Sequence, residues 1–167
     1  DKASERGTLD EPPTGIVLGD AWAWVSGVTK LYRVNDGDDI LYPPVALPPG
    51  LRAVKLLRDR THLWLLTESA ESINVLLKLD ARTGAEVART EVPGFVIGVG
   101  DGAVWGAGLE REGARTTSTA FRVDAETLRI TGPTNVLTTF LAEGEQPFTP
   151  LNPILADAGS VWVGAND

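Results

Sequence analysis

A short phrase built around tryptophan recurs along this chain and constrains its fold more than any other feature. Two of its copies read GDGAVWGAG at 100–108 and DAGSVWVGAND at 157–167. The phrase aligns four tryptophans: Trp24, Trp64, Trp105 and Trp162. The second follows the first by 40 residues, and the third follows the second by 41. An aspartate precedes each tryptophan by four or five residues, usually with a glycine nearby, which is the chemistry of a tight hairpin turn. A period of this length indicates a repeat architecture.

A second phrase follows each of the first three tryptophans at nearly the same period: LYRVN at 31–35, LLKLD at 76–80 and AFRVD at 120–124. Together the two phrases predict a unit of four short antiparallel strands. The third copy predicts strands at 95–99, 103–107 and 119–123, a fourth strand beginning at 128, and turns at Asp101-Gly102 and at 124–127. In the second copy Asp80 can accept hydrogen bonds from backbone N–H groups two residues on, and Gly84 is free to adopt a positive φ.

Apolar or small residues occupy both faces of the strands around Trp105 and Trp162. A sheet with one solvated face would instead alternate apolar and polar residues. Repeated four-stranded sheets buried on both faces are typical of the blades of a β-propeller, with the four aligned tryptophans buried between blades. We therefore expect an all-β fold of about three and a half blades that form part of a larger ring. A β-sandwich is the alternative, although sandwiches seldom repeat a tryptophan phrase so regularly.

The repeat also predicts the domain organisation. A polar segment at 1–14, with a closing strand at Glu5 to Leu9, precedes blades at roughly 15–50, 51–94 and 95–152 and an incomplete blade at 153–167. The chain begins at Asp1 rather than at Met, as a processed protein or an excerpt would. We expect further blades or a second chain to complete the ring. The alternative is a compact four-bladed ring in which the closing strand pairs with 160–164.

The composition of the chain excludes some classes of binding partner. The net charge of −8 has the wrong sign for binding phosphates or anionic lipid, and the apolar stretches are far shorter than the ~20 residues that cross a bilayer. Nucleic acid and membrane insertion are therefore not expected. The chain has no cysteine, which excludes disulfides and thiolate chemistry but leaves the compartment undetermined. The acidic stretch at 35–39 lacks the spacing of a calcium loop and is interpreted as a solvated turn, so neither a metal nor a cofactor is expected.

The segments GDGAVW, AFRVDAETLRI and LLKLDARTGAEV resemble the repeats of bacterial YVTN and streptogramin-lyase-like propellers. The resemblance extends over about residues 15 to 167. Ala81 and Ala125 depart from it, because the family favours proline at these turn positions. The resemblance implies an extracytoplasmic protein, either secreted or the outer domain of a membrane-anchored protein, often with a sensor role.

The lyases of this family, as the resemblance implies, use histidine as general base beside a divalent metal. This chain has one histidine, His62, at a position where sister copies have Ala103 and Ser160. One such histidine cannot supply both base and acid, so enzymatic activity is not the favoured prediction. The alternative is that the chain is part of a lyase-like enzyme whose catalytic residues lie outside it. A purely structural spacer is a third reading.

Two enlarged loops are predicted on one face of the ring, where binding usually occurs in propellers. The first covers 108–117, and the second lies within 135–153, where the tryptophan spacing increases to 57 residues. Long loops on a rigid scaffold often carry function, although a tolerated insertion explains them equally well. The candidate ligand-binding residues are Glu110, Arg111, Glu112, Arg115, Phe140, Glu143, Glu145, Phe148 and Trp22. Trp22 is included because no later copy has an aromatic residue there. The predicted function is a non-enzymatic binding or sensing module that presents loops to a protein, peptide or glycan.

Overall fold

The computed structural model describes residues 8–19, 22–35, 41–112, 115–140, 154–157 and 160–163. Every regular element among these residues is a β-strand, which confirms the all-β prediction. The strands are β1 Gly15–Leu18, β2 Trp22–Ser26, β3 Lys30–Asn35, β4 Val45–Ala46, β5 Leu51–Arg58, β6 His62–Ser69, β7 Asn74–Asp80, β8 Glu86–Glu91, β9 Phe95–Gly100, β10 Ala103–Glu112, β11 Arg115–Asp124, β12 Ile130–Phe140, β13 Ile154–Asp157 and β14 Ser160–Val163. The described part of the chain holds no helix long and apolar enough to cross a membrane.

Consecutive strands pair in antiparallel fashion to form three four-stranded sheets: sheet 1 (β1–β4), sheet 2 (β5–β8) and sheet 3 (β9–β12). Strands β13 and β14 form a two-stranded sheet. The predicted four-strand unit is therefore confirmed in three copies. The chain divides into two compact units, Asp1–Glu91 with sheets 1 and 2 and Val92–Asp167 with sheet 3 and the β13–β14 pair.

The register of the three sheets repeats at the tryptophans. Each second-strand tryptophan lies directly opposite a cation on the third strand, in the pairs Trp24 with Arg33, Trp64 with Lys78 and Trp105 with Arg122. The cationic groups lie 5.6 to 5.9 Å from the ring centroids, within the range of a cation–π contact. The two sequence phrases thus describe two strands that face each other.

The turn between β9 and β10 follows from its two central residues. Asp101 and Gly102 have φ of 50° and 69°, so both occupy the left-handed region that a type I′ hairpin turn requires. Glycine adopts this conformation without steric cost, and aspartate tolerates it better than most residues do. The predicted turn at this position is confirmed.

The turns between the third and fourth strands of sheets 2 and 3 share one set of hydrogen bonds. Oδ1 of Asp80 accepts from the backbone N–H of Thr83 at 2.8 Å and from its hydroxyl at 2.8 Å. Oδ1 of Asp124 accepts from the same groups of Thr127 at 2.9 and 2.8 Å. These hydrogen bonds hold the pKa of each aspartate below its ordinary value: for Asp80 the hydroxyl of Thr83 contributes most, followed by its backbone N–H, and for Asp124 the backbone N–H of Thr127 contributes most, followed by its hydroxyl. The predicted role of the aspartate is confirmed.

Sheets 1 and 2 pack face to face over a shared core. Its buried members are Trp24, Leu31, Ala53, Leu56, Leu63, Leu65, Leu77 and Leu79. The indole Nε1 of Trp24 donates a hydrogen bond to the carbonyl oxygen of Ala81 at 2.8 Å, in the third turn of sheet 2. Gly84, with φ of 73°, lies beneath the indole ring, and a Cβ there would be 2.9 Å from the ring. The glycine therefore serves both the turn and the packing.

Strand β6 is buried on both faces, as predicted for a strand of this repeat. Leu63 and Leu65 on one face and Trp64 and Leu66 on the other have no exposed surface. Trp105 differs, because it keeps some exposed surface, so the predicted burial of the aligned tryptophans is met fully at Trp24 and Trp64 and only in part at Trp105. The side chain of Trp162 lies outside the described residues.

Sheet 3 is longer than the other two sheets. Strands β10 and β11 have 10 residues each and β12 has 11, whereas the longest strands of sheet 2 have 8. The predicted loop at 108–117 is wrong, because 108–112 continue β10 and 115–117 belong to β11, paired in unbroken register. Threonine-rich sequence at 116–119 favours an extended backbone, and Glu112 lies opposite Arg115, which favours pairing.

The segment 8–14 before β1 is fastened to sheet 1. The carboxylate of Asp10 bonds to Nζ of Lys30 and to the hydroxyl of Tyr32. The Lys30 contact, followed by that of Tyr32, holds the pKa of Asp10 below its ordinary value. Burial, together with the Asp10 carboxylate, raises the pKa of Tyr32 to about 12. Most of the predicted closing strand at 5–9 lies outside the described residues, and residues 8 and 9 are not in a strand.

Candidate binding surfaces

One end of sheet 3 extends as a three-stranded projection, which we call the sheet 3 extension: residues 108–112 of β10, 115–119 of β11 and 134–140 of β12. It forms because three neighbouring strands lengthen together. Arg115 pairs with Glu112 on one side and with Phe140 on the other. The register then continues along β10 through Arg111 to Glu110, opposite 116 and 117 of β11.

The extension brings together five of the nine candidate residues: Glu110, Arg111, Glu112, Arg115 and Phe140. The sequence predicted them on two separate loops, whereas the structure places them at the end of one sheet. These residues include charges of both signs and one aromatic ring, and they lie within a few strand positions of one another. Glu143, Glu145 and Phe148 lie outside the described residues.

Trp22 lies in the other unit, within an aromatic–arginine cluster that it forms with Arg33 and Tyr42. The rings of Trp22 and Tyr42 meet edge to face, with centroids 5.2 Å apart and an interplanar angle of 82°. The guanidinium carbon of Arg33 lies 4.5 Å from each of these two ring centroids. Nη1 of Arg33 donates to the carbonyl oxygen of Arg82 at 2.5 Å.

The cluster gives Trp22 an intramolecular partner. A cation over an aromatic face contributes about 0.5–1 kcal/mol at an exposed site and more where water is excluded. Arg33 therefore links the segment carrying Tyr42 to sheet 1 and, through Arg82, to the third turn of sheet 2. Sequence reasoning did not find Tyr42 or Arg33 as partners, because the contact spans a connection with no repeat signal.

His62 lies at the first position of β6, in a turn organised by Asp59. Oδ1 of Asp59 accepts from the backbone N–H groups of Thr61 and His62, each at 2.7 Å, and Oδ2 accepts from the indole of Trp64 at 2.7 Å. Burial disfavours the ionised form of Asp59, but these hydrogen bonds outweigh it and lower its pKa. Nδ1 of His62 lies 2.8 Å from the hydroxyl of Thr61. The imidazole is thus part of a hairpin turn.

An apolar cleft of about 280 Å³ lies within the first unit, between the outer strands of sheets 1 and 2. Leu31, Val45, Leu47, Pro48, Leu77, Leu79 and Glu86 are among its lining residues. Strand β4 has only two residues and therefore leaves the outer part of the facing sheet uncovered. No sequence pattern predicts this cleft, because its extent depends on the length of β4.

Within the ranges that the structure describes, no three His, Cys, Asp or Glu residues come together in a way that could hold a metal ion. The acidic stretch at 36–39 lies outside those ranges.

A scan against models of protein families found no match to the chain, and a search of curated proteins found none. The fold therefore defines only a structural class. The chain is an all-β protein built from repeated four-stranded antiparallel sheets, and one of them has the sheet 3 extension at its end.

Proposed function

We propose that this chain is a β-propeller module that binds or senses a protein, peptide or glycan through the sheet 3 extension, without enzymatic activity of its own. The observation that carries the proposal is the extension itself. Three neighbouring strands lengthen together and place Glu110, Arg111, Glu112, Arg115 and Phe140 within one short stretch of register.

The propeller part of the proposal rests on three features. Each sheet is a four-stranded meander of consecutive strands, as a blade is. Sheets 1 and 2 pack face to face through a continuous apolar core, and strand β6 is buried on both faces. The repeats also resemble YVTN and streptogramin-lyase-like propellers, and the proposed extracytoplasmic location rests on that resemblance alone.

The binding part rests on the cost of the extension. Ordering the backbone of one residue costs about 1–2 kcal/mol, so the additional strand positions need stabilising contacts, of which the burial of Thr117 and Thr119 supplies a part. A bound partner would supply further contacts to an extension that carries both signs of charge and a phenylalanine. Arginine and aromatic residues are enriched at the centres of protein interfaces.

The test compares two triple variants that remove the same charges from equivalent ends of two sheets. The first is Glu110→Gln, Glu112→Gln and Arg115→Gln on the extension. The matched control is Glu68→Gln, Glu91→Gln and Arg52→Gln, at the corresponding end of sheet 2, where Arg52 pairs with Glu68. All three control side chains are exposed.

Fluorescently labelled wild-type protein is applied to a glycan array and to a displayed random-peptide library, and the Kd of each binder is then measured. We expect at least one binder whose affinity falls about tenfold or more in the extension variant and stays unchanged in the control, tenfold corresponding to about 1.4 kcal/mol. Equal affinity for both variants would rule out the extension as the binding surface. Turnover of a streptogramin-type lactone by the wild-type chain would instead support the enzyme alternative.

A further inference from the structure

The outer edge of sheet 3 differs from the outer edges of sheets 1 and 2. Among the residues that the structure describes, β12 pairs with β11 on one side and with no strand on the other. An unpaired edge presents backbone N–H and C=O groups to which another strand can be added. Proteins usually protect such edges by keeping them short, by placing charged side chains on them, or by proline and bulges.

Sheets 1 and 2 use two of these protections. The outer strand of sheet 1, β4, has only two residues. The outer strand of sheet 2, β8, has six residues, and three of them are charged: Glu86, Arg89 and Glu91. Both edges are therefore poor templates for a further strand.

Strand β12 has 11 residues, Ile130–Phe140, and none of them is charged. Its protection is confined to its first part, where Pro133 lacks an N–H and the register shifts at 132–133 and at 136. Positions 137–140 then pair with β11 in unbroken register. This run reads LTTF, and threonine and phenylalanine favour strands. The last part of β12 is therefore an uncharged edge without these protections.

The backbone groups of this edge define the class of ligand that fits it. Every second residue of an edge strand directs its N–H and C=O away from the sheet, so positions 137–140 offer about two donors and two acceptors in alternation. An extended polypeptide presents the complementary groups at the same spacing. A glycan has no such alternation. Among a protein, a peptide and a glycan, the edge therefore favours an extended polypeptide segment.

Charge and sequence favour a segment of another protein as the added strand. The 13 residues that follow β12, at 141–153, include three prolines and two glutamates, a composition that disfavours a strand. A second copy of the chain would bring another net charge of −8 beside the first. The unit Val92–Asp167 carries nine acidic and four basic residues, so it attracts a basic segment.

We propose that the outer edge of β12 at 137–140 accepts an extended basic segment of another protein as a fifth strand of sheet 3. This inference rests on the proposed function, and it narrows the ligand of the sheet 3 extension to a peptide recognised mainly through its backbone. The expected segment has β-branched or apolar residues at the paired positions, because these match LTTF, and Lys or Arg at its ends.

The first test removes backbone N–H groups from the ligand. Peptides that bind the full chain are selected from a displayed random library and resynthesised, each with one residue N-methylated in turn. N-methylation removes the N–H and keeps the side chain. We expect the Kd to rise about tenfold or more at every second position and to change little between them.

The outcomes of this scan separate the two proposals. Peptides that bind without alternating sensitivity would overturn strand addition and leave the proposed function intact. Glycans as the only binders would have the same meaning. A chain that binds neither peptides nor glycans would overturn both proposals.

The second test places a charge on the edge, as β8 already has. Thr139→Lys should weaken peptide binding about tenfold or more, whereas Val87→Lys on β8, at a side chain that is 56% exposed, should leave it unchanged. Equal affinities of two variants with the wild-type melting temperature would overturn the proposal. A wild-type dimer that Thr139→Lys dissociates, detected by light scattering, would also overturn it, because a second copy would then occupy the edge. If Thr139→Lys lowers the melting temperature, the N-methyl scan decides.

Discussion

At the scale of single residues, two glycines have roles that their spacing in the sequence does not reveal. Gly84 combines a positive φ with close packing under the Trp24 ring, since a Cβ at this position would lie 2.9 Å from the ring. Gly50 has a similar φ of 82°, but no atom lies within 4 Å of where its Cβ would be. The pair therefore separates the conformational role of a glycine from its packing role within one unit.

The first prediction uses this pair. Gly50→Ala should cost about 1–2 kcal/mol, the usual penalty for a non-glycine residue in the left-handed region. Gly84→Ala should cost about 2–4 kcal/mol, because the same penalty is joined by displacement of the Trp24 ring. Urea unfolding of both variants measures the difference. Equal losses of stability would mean that the indole moves aside freely.

Gly106 and Phe121 show a similar dependence of packing on a glycine, here between two strands. They lie directly opposite each other in β10 and β11, and a Cβ on Gly106 would be 2.0 Å from the phenylalanine ring. Phe121 is 1% exposed, so its ring fills the space that a side chain at 106 would take. At the same register in sheet 2 both positions are leucine, Leu65 and Leu77.

The second prediction follows from that complementarity. Gly106→Ala alone should cost about 1–3 kcal/mol through overpacking. Combined with Phe121→Leu, it should cost clearly less than the sum of the two single changes, because the smaller ring-free side chain makes room for the methyl group. A double-mutant cycle by urea unfolding measures the coupling. Strictly additive losses would contradict it.

At the scale of strands and turns, carboxylates organise the connections. Asp59, Asp80 and Asp124 each accept hydrogen bonds from backbone N–H groups of their own turn, and each has a lowered pKa. A lowered pKa in the folded state means that the ionised carboxylate stabilises the fold. This stabilisation is fully present above the unfolded pKa of about 3.9 and is lost as the pH falls through the folded values.

The third prediction is therefore a loss of thermal stability that begins below about pH 4. The double variant Asp80→Asn and Asp124→Asn should melt at a lower temperature than wild type at neutral pH, and the two curves should converge in acid. Glu126→Gln serves as control, because this exposed side chain lies in the same turn as Asp124. Calorimetric melting from pH 7 downwards gives the comparison; parallel curves at all pH values would refute the assignment.

The sequence alone was enough to predict these strands and turns, but it was not enough to predict other features of the structure. Asp80 and Gly84 lie in turns whose residue types leave few conformations, so strands and turns were predictable from them. The 108–117 segment was mistaken for a loop because its charges mask an extended backbone, which only the pairing of β10 with β11 establishes. The Tyr42 contact to Trp22 and the cleft beside β4 depend on tertiary packing, which residue spacing does not encode.

At the scale of the whole molecule, the chain consists of two compact units, Asp1–Glu91 and Val92–Asp167. All eight buried members of the core between sheets 1 and 2 belong to the first unit. Two packed layers around one core are the minimum arrangement for a stable domain. The first unit therefore contains the elements that an independent fold requires.

The fourth prediction is that residues 1–91, expressed alone, unfold in one cooperative transition. Trp24→Phe should then destabilise the fragment and the full chain by similar amounts, about 1–3 kcal/mol, because it leaves the Ala81 carbonyl without its indole donor in both. Thermal melting by circular dichroism and a dispersed amide spectrum test this. A gradual transition with binding of hydrophobic dye would show that the fragment is not an independent domain.

The facing pair of β10 and β11 also bears on how the three sheets can be compared. With Phe121 opposite Gly106, a larger residue at 106 is tolerated only if the residue at 121 becomes smaller, so the two positions constrain each other. Leu65 and Leu77 meet the same constraint in sheet 2 with different residues. The similarity of the sheets therefore lies in which positions face each other more than in which residue types occupy them.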